Sequence, residues 1–161
     1  MLYISLNEIL GFVSSIKIMY KIYLDDLRTP VNTEWIVVRS YDEFVAKVKE
    51  IGLGNIEVVT LDHDLGDTAV KEYFNNTSKN YTLNYENIEE KTGYDAAKWM
   101  VDYFYEKNPD YNRKETFPFP QVYSHSANPI GVGNILGYIN NFLKNERQPQ
   151  TCVRWKPEHT V

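Results

Sequence analysis

The sequence contains a single cysteine, Cys152, among 161 residues. An intrachain disulfide and a cysteine-rich zinc module are thereby excluded, and this usage suits a reducing compartment. No apolar run approaches the ~18 residues that a membrane-spanning helix needs, so no membrane partner is expected. Nor is any stretch basic enough to track a phosphate backbone, and the formal net charge is −5. Extended nucleic-acid binding is therefore not expected, although the end of a single strand fits an acidic, metal-bearing pocket. Hydrophobic residues make up 43% and charged residues 24%, ordinary globular values that exclude wholesale disorder. The expectation is a cytoplasmic protein with one folded domain of a size that buries a real core.

The first eighteen residues read differently from the rest. Leu6, Ile9, Leu10, Val13 and Ile16 fall at helical spacing behind a Ser5–Glu8 capping pattern. A basic leading region and a small-residue cleavage site are both missing from this segment, which argues against a signal peptide. Two readings stay open. Either residues 1–18 are an over-extended gene start and the domain begins at Met19, or they form a short helix that packs on the sheet.

From residue 19 to 157, strands alternate with helices. Residues 21–24, 35–39, 56–61 and 121–124 read as strands, and 151–155 as a short last one. Ser40 and Glu43 open a helix that Gly52 and Gly54 stop. Thr92 and Asp95 open a second, running to about Lys107, with Ala96, Ala97, Met100 and Phe104 inward. Asn128 and Pro129 open a third. The polar stretch 67–91 has weak periodicity and reads as an inserted loop, the kind that closes over a site or stays disordered. Such alternation predicts an α/β fold with a mostly parallel sheet and helices on its faces. The link from Asp26 to Trp35 is too short for an ordinary helical crossover, so the first crossover helix is expected to be lost or reduced to a turn.

Three polar clusters stand at the carboxyl ends of strands: Asp25-Asp26, Asp62-His63-Asp64 and His125-Ser126-Asn128. Open α/β sheets bind ligands along that edge. Carboxylates brought together there repel one another unless a cation sits among them. Oxygen ligands suit Mg²⁺, and neighbouring imidazoles move the balance towards Mn²⁺. Behind Ser126 and Asn128, the start of the last helix, with Gly131 and Gly133, offers amide groups to an anion. Packing is the competing reading for those glycines. Arg28 reads either as a salt-bridge partner or as a phosphate clamp. His63 reads as a catalytic group or as a histidine that orients its carboxylate neighbours, and His159 as an inert tail residue. Of the thirteen tyrosines, Tyr73, Tyr81 and Tyr85 lie in the insertion, where a base could stack on them.

Taken in order, Leu24-Asp25-Asp26-Leu27-Arg28-x-Pro30, Leu61-Asp62-His63-Asp64-Leu65-Gly66, Thr92-Gly93-Tyr94-Asp95 and His125-Ser126-Ala127-Asn128-Pro129-x-Gly131 resemble the cyclic-phosphate processing receiver-like domain. That family is a divergent branch of the response-regulator receiver fold found in bacteria and phages. The resemblance covers about residues 20 to 145 and implies a receiver-like, flavodoxin-like sheet. By it, Asp25 and Asp26 match the acidic pair that holds Mg²⁺. Asp62 matches the phosphoacceptor, Ser126-Ala127 the hydroxyl-alanine step, and Lys156-Pro157 the Lys-Pro step after the last strand. His63, Asp64 and His125 depart from signalling receivers, and acid–base work on phosphodiesters requires such groups.

The expected function is a metal-dependent phosphoesterase that opens a cyclic phosphate, on a 2′,3′-cyclic RNA end or a cyclic nucleotide. Asp25, Asp26 and Asp62 are its expected ligands for Mg²⁺ or Mn²⁺, and His63, Asp64 and His125 its acid–base groups. Arg28, Ser126, Asn128 and Gly131 would bind the substrate, a small nucleotide or RNA end. The alternatives are a protein that sequesters a cyclic nucleotide without turnover and a phospho-accepting receiver.

Overall fold

Short runs of β-branched and aromatic residues pair side by side in the computed structural model, which describes residues 17–113 and 115–156. They form β1 (Tyr20–Leu24), β2 (Trp35–Val38), β3 (Ile56–Leu61), β4 (Gln121–Ser124) and β5 (Val153–Arg154). The sheet order is β2-β1-β3-β4-β5, and every pairing is parallel. This is the flavodoxin-like doubly wound order, whose winding reverses between β1 and β3. The receiver-like α/β architecture read from the sequence is the one observed. Residues 1–16, which carry the amphipathic pattern, lie outside the described residues, as do Pro157 and His159.

The main helices among the described residues are α1 (Tyr41–Ile51), α2 (Asp67–Glu72), α3 (Gly93–Lys107) and α4 (Pro129–Asn145). Each long helix starts where a side chain satisfies its first free amides. Ser40 accepts from the Glu43 amide, Thr92 and Asp95 form a complete capping box, and Asn128 accepts from the Gly131 amide ahead of Pro129. In α1 the reciprocal arm lands one residue early, because the Glu43 carboxylate accepts from the Arg39 amide at 2.8 Å. Gly52 ends α1 at φ 82°, a backbone conformation that other residues adopt only with strain.

Side chains alternate across a strand, so the register sorts the residues into two faces. Ile22, Leu24, Val38, Val59, Leu61 and Val122 share one buried cluster with Phe44 and Val48 of α1, Met100 and Phe104 of α3, and Ile135 and Ile139 of α4. On the other face, rings meet across the strands. Tyr23 and Trp35 contact edge to face at 6.0 Å, Trp155 touches both Trp35 and Tyr123, and Tyr23 stacks on His125 at 4.2 Å. β1 and β2 pair in parallel although residues 25–34 form only bends and turns. The first crossover helix is absent among the described residues, as its short linker required.

The segment 67–91 corrects the expectation of a plain loop. It contains α2, a π-helical turn (Tyr73–Thr77), a helical turn (Ser78–Asn80) and a 3₁₀ turn (Tyr85–Asn87). A buried carboxylate, Glu72, and a half-buried one, Glu90, organise it in place of an apolar stripe, which is why periodicity does not reveal it. Glu72, 3% exposed, accepts from the Asn84 amide at 2.9 Å and from the side chains of Asn76 and Asn87 at 2.9 and 2.8 Å. Glu90 accepts from the Thr68 amide at 3.0 Å and from its hydroxyl. The Asn84 amide, foremost, holds the Glu72 carboxyl below its ordinary range against the opposing effect of burial.

Candidate active site

The carboxyl ends of β1, β3 and β4 meet at the switch point. The Asp25 amide donates to Val38 O and the Asp62 amide to Leu24 O, so both residues stay aligned just beyond the ladder. One oxygen of each carboxylate is engaged locally. Asp25 Oδ1 accepts the Leu27 and Arg28 amides at 2.9 and 2.6 Å, folding the loop after β1 around it. Asp62 Oδ1 accepts the His63 amide at 2.8 Å. Arg28 bridges the two residues, with Nε 2.6 Å from Asp25 Oδ2 and Nη2 3.0 Å from Asp62 Oδ2.

Oxygen atoms of Asp25, Asp26 and Asp62 lie within 4.8 Å of one another, a spacing and donor set that can hold a divalent cation. Their electrostatics agree with that fit. Burial pushes the Asp25 carboxyl up, but the His125 hydrogen bond, two amides and the guanidinium outweigh it and bring it down to about 2. Asp26 goes the other way: burial, then the charges of Asp62 and Asp25, raise its carboxyl. One guanidinium does not neutralise three carboxylates.

Both histidines stand one hydrogen bond behind a carboxylate. His125 is held between Thr60 Oγ1, 2.8 Å from Nδ1, and Asp25 Oδ2, 3.0 Å from Nε2. His63 is fully buried, with Nδ1 2.6 Å from Asp64 Oδ1 and Nε2 3.0 Å from the Tyr85 hydroxyl. Asn134 Nδ2 donates to that hydroxyl at 2.9 Å, extending the chain into α4. On Asp64 the Oδ1 atom also accepts from Asn128 Nδ2 at 3.2 Å.

A cavity of about 200 Å³ opens over these carboxylates. Asp25, Asp26, Arg28, Asp62, Asp64 and Ser126 form its polar part. Leu27, Val70, Tyr73 and Phe74 form an apolar wall, where Leu27 and Phe74 are 79% and 61% exposed. His63, His125, Asn128 and Gly131 are not among the lining residues. The Gly131 amide is occupied by Asn128 Oδ1 at 3.0 Å, and a Cβ there would fall 2.2 Å from the His63 ring. That close approach is what a glycine permits. Gly93 does the same for the neighbouring backbone, since a Cβ would lie 1.8 Å from Asp62 O. A larger cavity of about 470 Å³, lined by Tyr105, Arg113 and Glu146 among others, lies at the opposite, C-terminal end of α3.

Several contributors carry weaker signals in the sequence. Thr60 interrupts the apolar end of β3, a usable sign, and the structure buries it fully. Arg39 holds the loop after β1 by donating to Asp25 O, Arg28 O and Thr29 Oγ1 at 3.0, 2.7 and 2.6 Å. Its only sign was a basic residue at the end of the neighbouring strand. Phe74 gave none, because α2 and the π turn place it at the cavity. Of the three tyrosines in the insertion, Tyr73 lines the cavity, Tyr85 is taken up by His63 and Tyr81 is 75% exposed.

A parallel sheet in the order 2-1-3-4-5, with an acidic cluster at its switch point, defines a receiver-type domain. Within that class, the chain belongs to the cyclic-phosphate processing receiver domain family, whose profile matches residues 20–141. No curated protein and no solved structure matches the chain. Among the described residues no helix is long and apolar enough to cross a membrane.

Proposed function

We propose that the domain is a metal-dependent phosphoesterase that opens a cyclic phosphate on a nucleotide or an RNA end. The observation that carries this reading is the shared cavity, in which a cation-binding carboxylate cluster, an arginine and a separate, imidazole-backed carboxylate face one space. Asp25, Asp26 and Asp62 would hold Mg²⁺ or Mn²⁺. When bound, such a cation polarises a phosphoryl oxygen and makes water a stronger nucleophile.

Hydrolysis needs one P–O bond made from water, one ring P–O bond broken, and a proton carried from the water to the leaving oxygen. In this reading Asp64, which lines the cavity, carries that proton, and His63 behind it supports the transfer through the Nδ1–Oδ1 hydrogen bond. His125 keeps Asp25 oriented by donating from Nε2, with Thr60 fixing the other ring nitrogen. Arg28 and Ser126 face the non-bridging oxygens, while Asn128 and Gly131 act from behind, holding Asp64 in place and giving the His63 ring room. The apolar wall of Tyr73 and Phe74 supports a nucleobase as the remainder of the substrate.

The test is incubation of the purified protein with nucleoside 2′,3′-cyclic phosphates, 3′,5′-cyclic nucleotides and cyclic-ended oligonucleotides, with Mn²⁺, with Mg²⁺ and with chelator. The expected product is a ring-opened monophosphate that forms only with a cation. Saturable binding without turnover would make the protein a sequestering one. A phosphoryl group gained from acetyl phosphate, and lost in Asp62→Asn, would make it a signalling receiver.

A further inference from the structure

The oxygens that a cation would need are the ones Arg28 already holds. Asp25 Oδ1 is occupied by the amides of Leu27 and Arg28, and Asp62 Oδ1 by the amide of His63. Those bonds shape the loops after β1 and β3 and do not release without undoing them. On each residue Oδ2 is then the oxygen that no loop amide engages, and on Asp25 it also accepts from His125 Nε2 at 3.0 Å. Arg28 reaches both, at 2.6 Å through Nε and 3.0 Å through Nη2.

The arginine is built to let go. Its backbone is fixed, since its amide donates to Asp25 Oδ1 and its carbonyl accepts from Arg39 Nη1 at 2.7 Å. Its side chain is 47% exposed, so it can change rotamer without disturbing the core. The same cavity that holds the carboxylates offers it somewhere to go. A guanidinium is a planar fork that matches two phosphoryl oxygens as well as two carboxylates.

We propose that Arg28 is an exchangeable counter-ion: a divalent cation entering among Asp25, Asp26 and Asp62 displaces it from the Oδ2 atoms of Asp25 and Asp62, and the released guanidinium turns to the phosphoryl oxygens in the same cavity. The exchange rests on the reading of these carboxylates as the cation site. It orders the binding events. Without a cation, Arg28 is occupied and the cavity is anionic, so a phosphate is repelled. With a cation, the cavity is less negative and the arginine is available. Cation and phosphate affinities are then linked, each raising the other by the same factor.

The experiment measures Mn²⁺ affinity of the full chain from the resonance signal of free Mn²⁺, in the wild type, Arg28→Gln, Arg28→Lys and Asp62→Asn. Inorganic phosphate is then titrated calorimetrically with and without Mg²⁺, and circular dichroism checks the fold of each variant. Arg28→Gln should bind Mn²⁺ about tenfold more tightly than the wild type, with Arg28→Lys between them. Phosphate should bind the wild type about tenfold more tightly with Mg²⁺ than without, and Arg28→Gln should lose most of that gain. Unchanged or weaker Mn²⁺ binding in Arg28→Gln, together with its loss in Asp62→Asn, overturns the exchange and leaves the cation site standing. If Arg28→Gln does not fold, Arg28→Lys carries the comparison, and equal affinity there overturns the exchange. Absence of Mn²⁺ binding in every variant overturns the cation site and the exchange together.

Discussion

The two sides of the cavity are built on the same unit with different supports. On one side Asp25 is backed by His125, and the pair is tied to the sheet: His125 bonds Thr60 of β3 and stacks on Tyr23 of β1. On the other, Asp64 is backed by His63, and the pair is tied to the insertion through Tyr85 and to α4 through Asn128 and Gly131. The sheet holds a carboxylate that, in the proposed reading, has to keep its place beside a cation. A helical insertion holds the one proposed to exchange protons, and the same segment supplies the apolar wall. Each imidazole thus serves its carboxylate from a different part of the fold.

The largest test of that contrast is Asp64→Asn. Turnover should fall about 10²–10⁴-fold, the usual contribution of an acid–base group, with fold and Mn²⁺ affinity retained. An equal loss of Mn²⁺ affinity would move Asp64 into the cation site and erase the distinction between the sides.

Replacing each histidine separates the supports. His63→Ala leaves a cavity beneath Gly131 and should lower the unfolding free energy by about 3 kcal/mol in urea titrations, with Mn²⁺ affinity nearly unchanged. His125→Ala should instead weaken Mn²⁺ binding about tenfold, as loss of a residue that orients a ligand does, and excess Mn²⁺ should restore much of the rate. Reversal of these two patterns would exchange the roles assigned to the pairs.

Phe74→Ala sharpens the comparison at the wall. Its side chain is mostly exposed, so stability should change by less than about 0.5 kcal/mol. Affinity for a nucleoside cyclic phosphate should drop about tenfold, while inorganic phosphate binds as before. Equal losses for both ligands would remove the base from the proposal.

The smallest effect is a difference in acid sensitivity. The Glu72 carboxyl titrates below its ordinary range in the folded protein, so its contribution is complete above that range and is lost as pH falls through the lowered value. Amides of residues 73–87 should therefore exchange hydrogen faster, relative to those of β1 and β3, at pH 3 than at pH 5. A uniform change across both regions would show that the insertion does not open separately.

The parts of this protein that follow local rules were legible in one dimension. The limits of β3 and β4 coincide with the strands read at 56–61 and 121–124, and α3 and α4 begin at the caps that Thr92 and Asn128 announce. Strand ends carrying Asp25, Asp26 and Asp62 converge because parallel strands place their carboxyl ends along one edge. The insertion was not legible, since polar contacts over long separations organise it. Glu72 with Asn87, and Tyr85 with His63, leave no periodic trace.

What the sequence determined by itself is the alternation of strand and helix, the loss of the first crossover helix and the identity of the acidic edge. These rest on hydrophobic period, capping chemistry and linker length, all short-range properties. Only the tertiary structure decided which residues face the cavity and which stand behind. His63 and His125 end strands just as Asp25 and Asp62 do, yet both rings turn inward, one under Gly131 and the other onto Tyr23. Side-chain direction at a strand end depends on what packs above it, and α4, the insertion and the loop holding Arg28 come from distant parts of the chain.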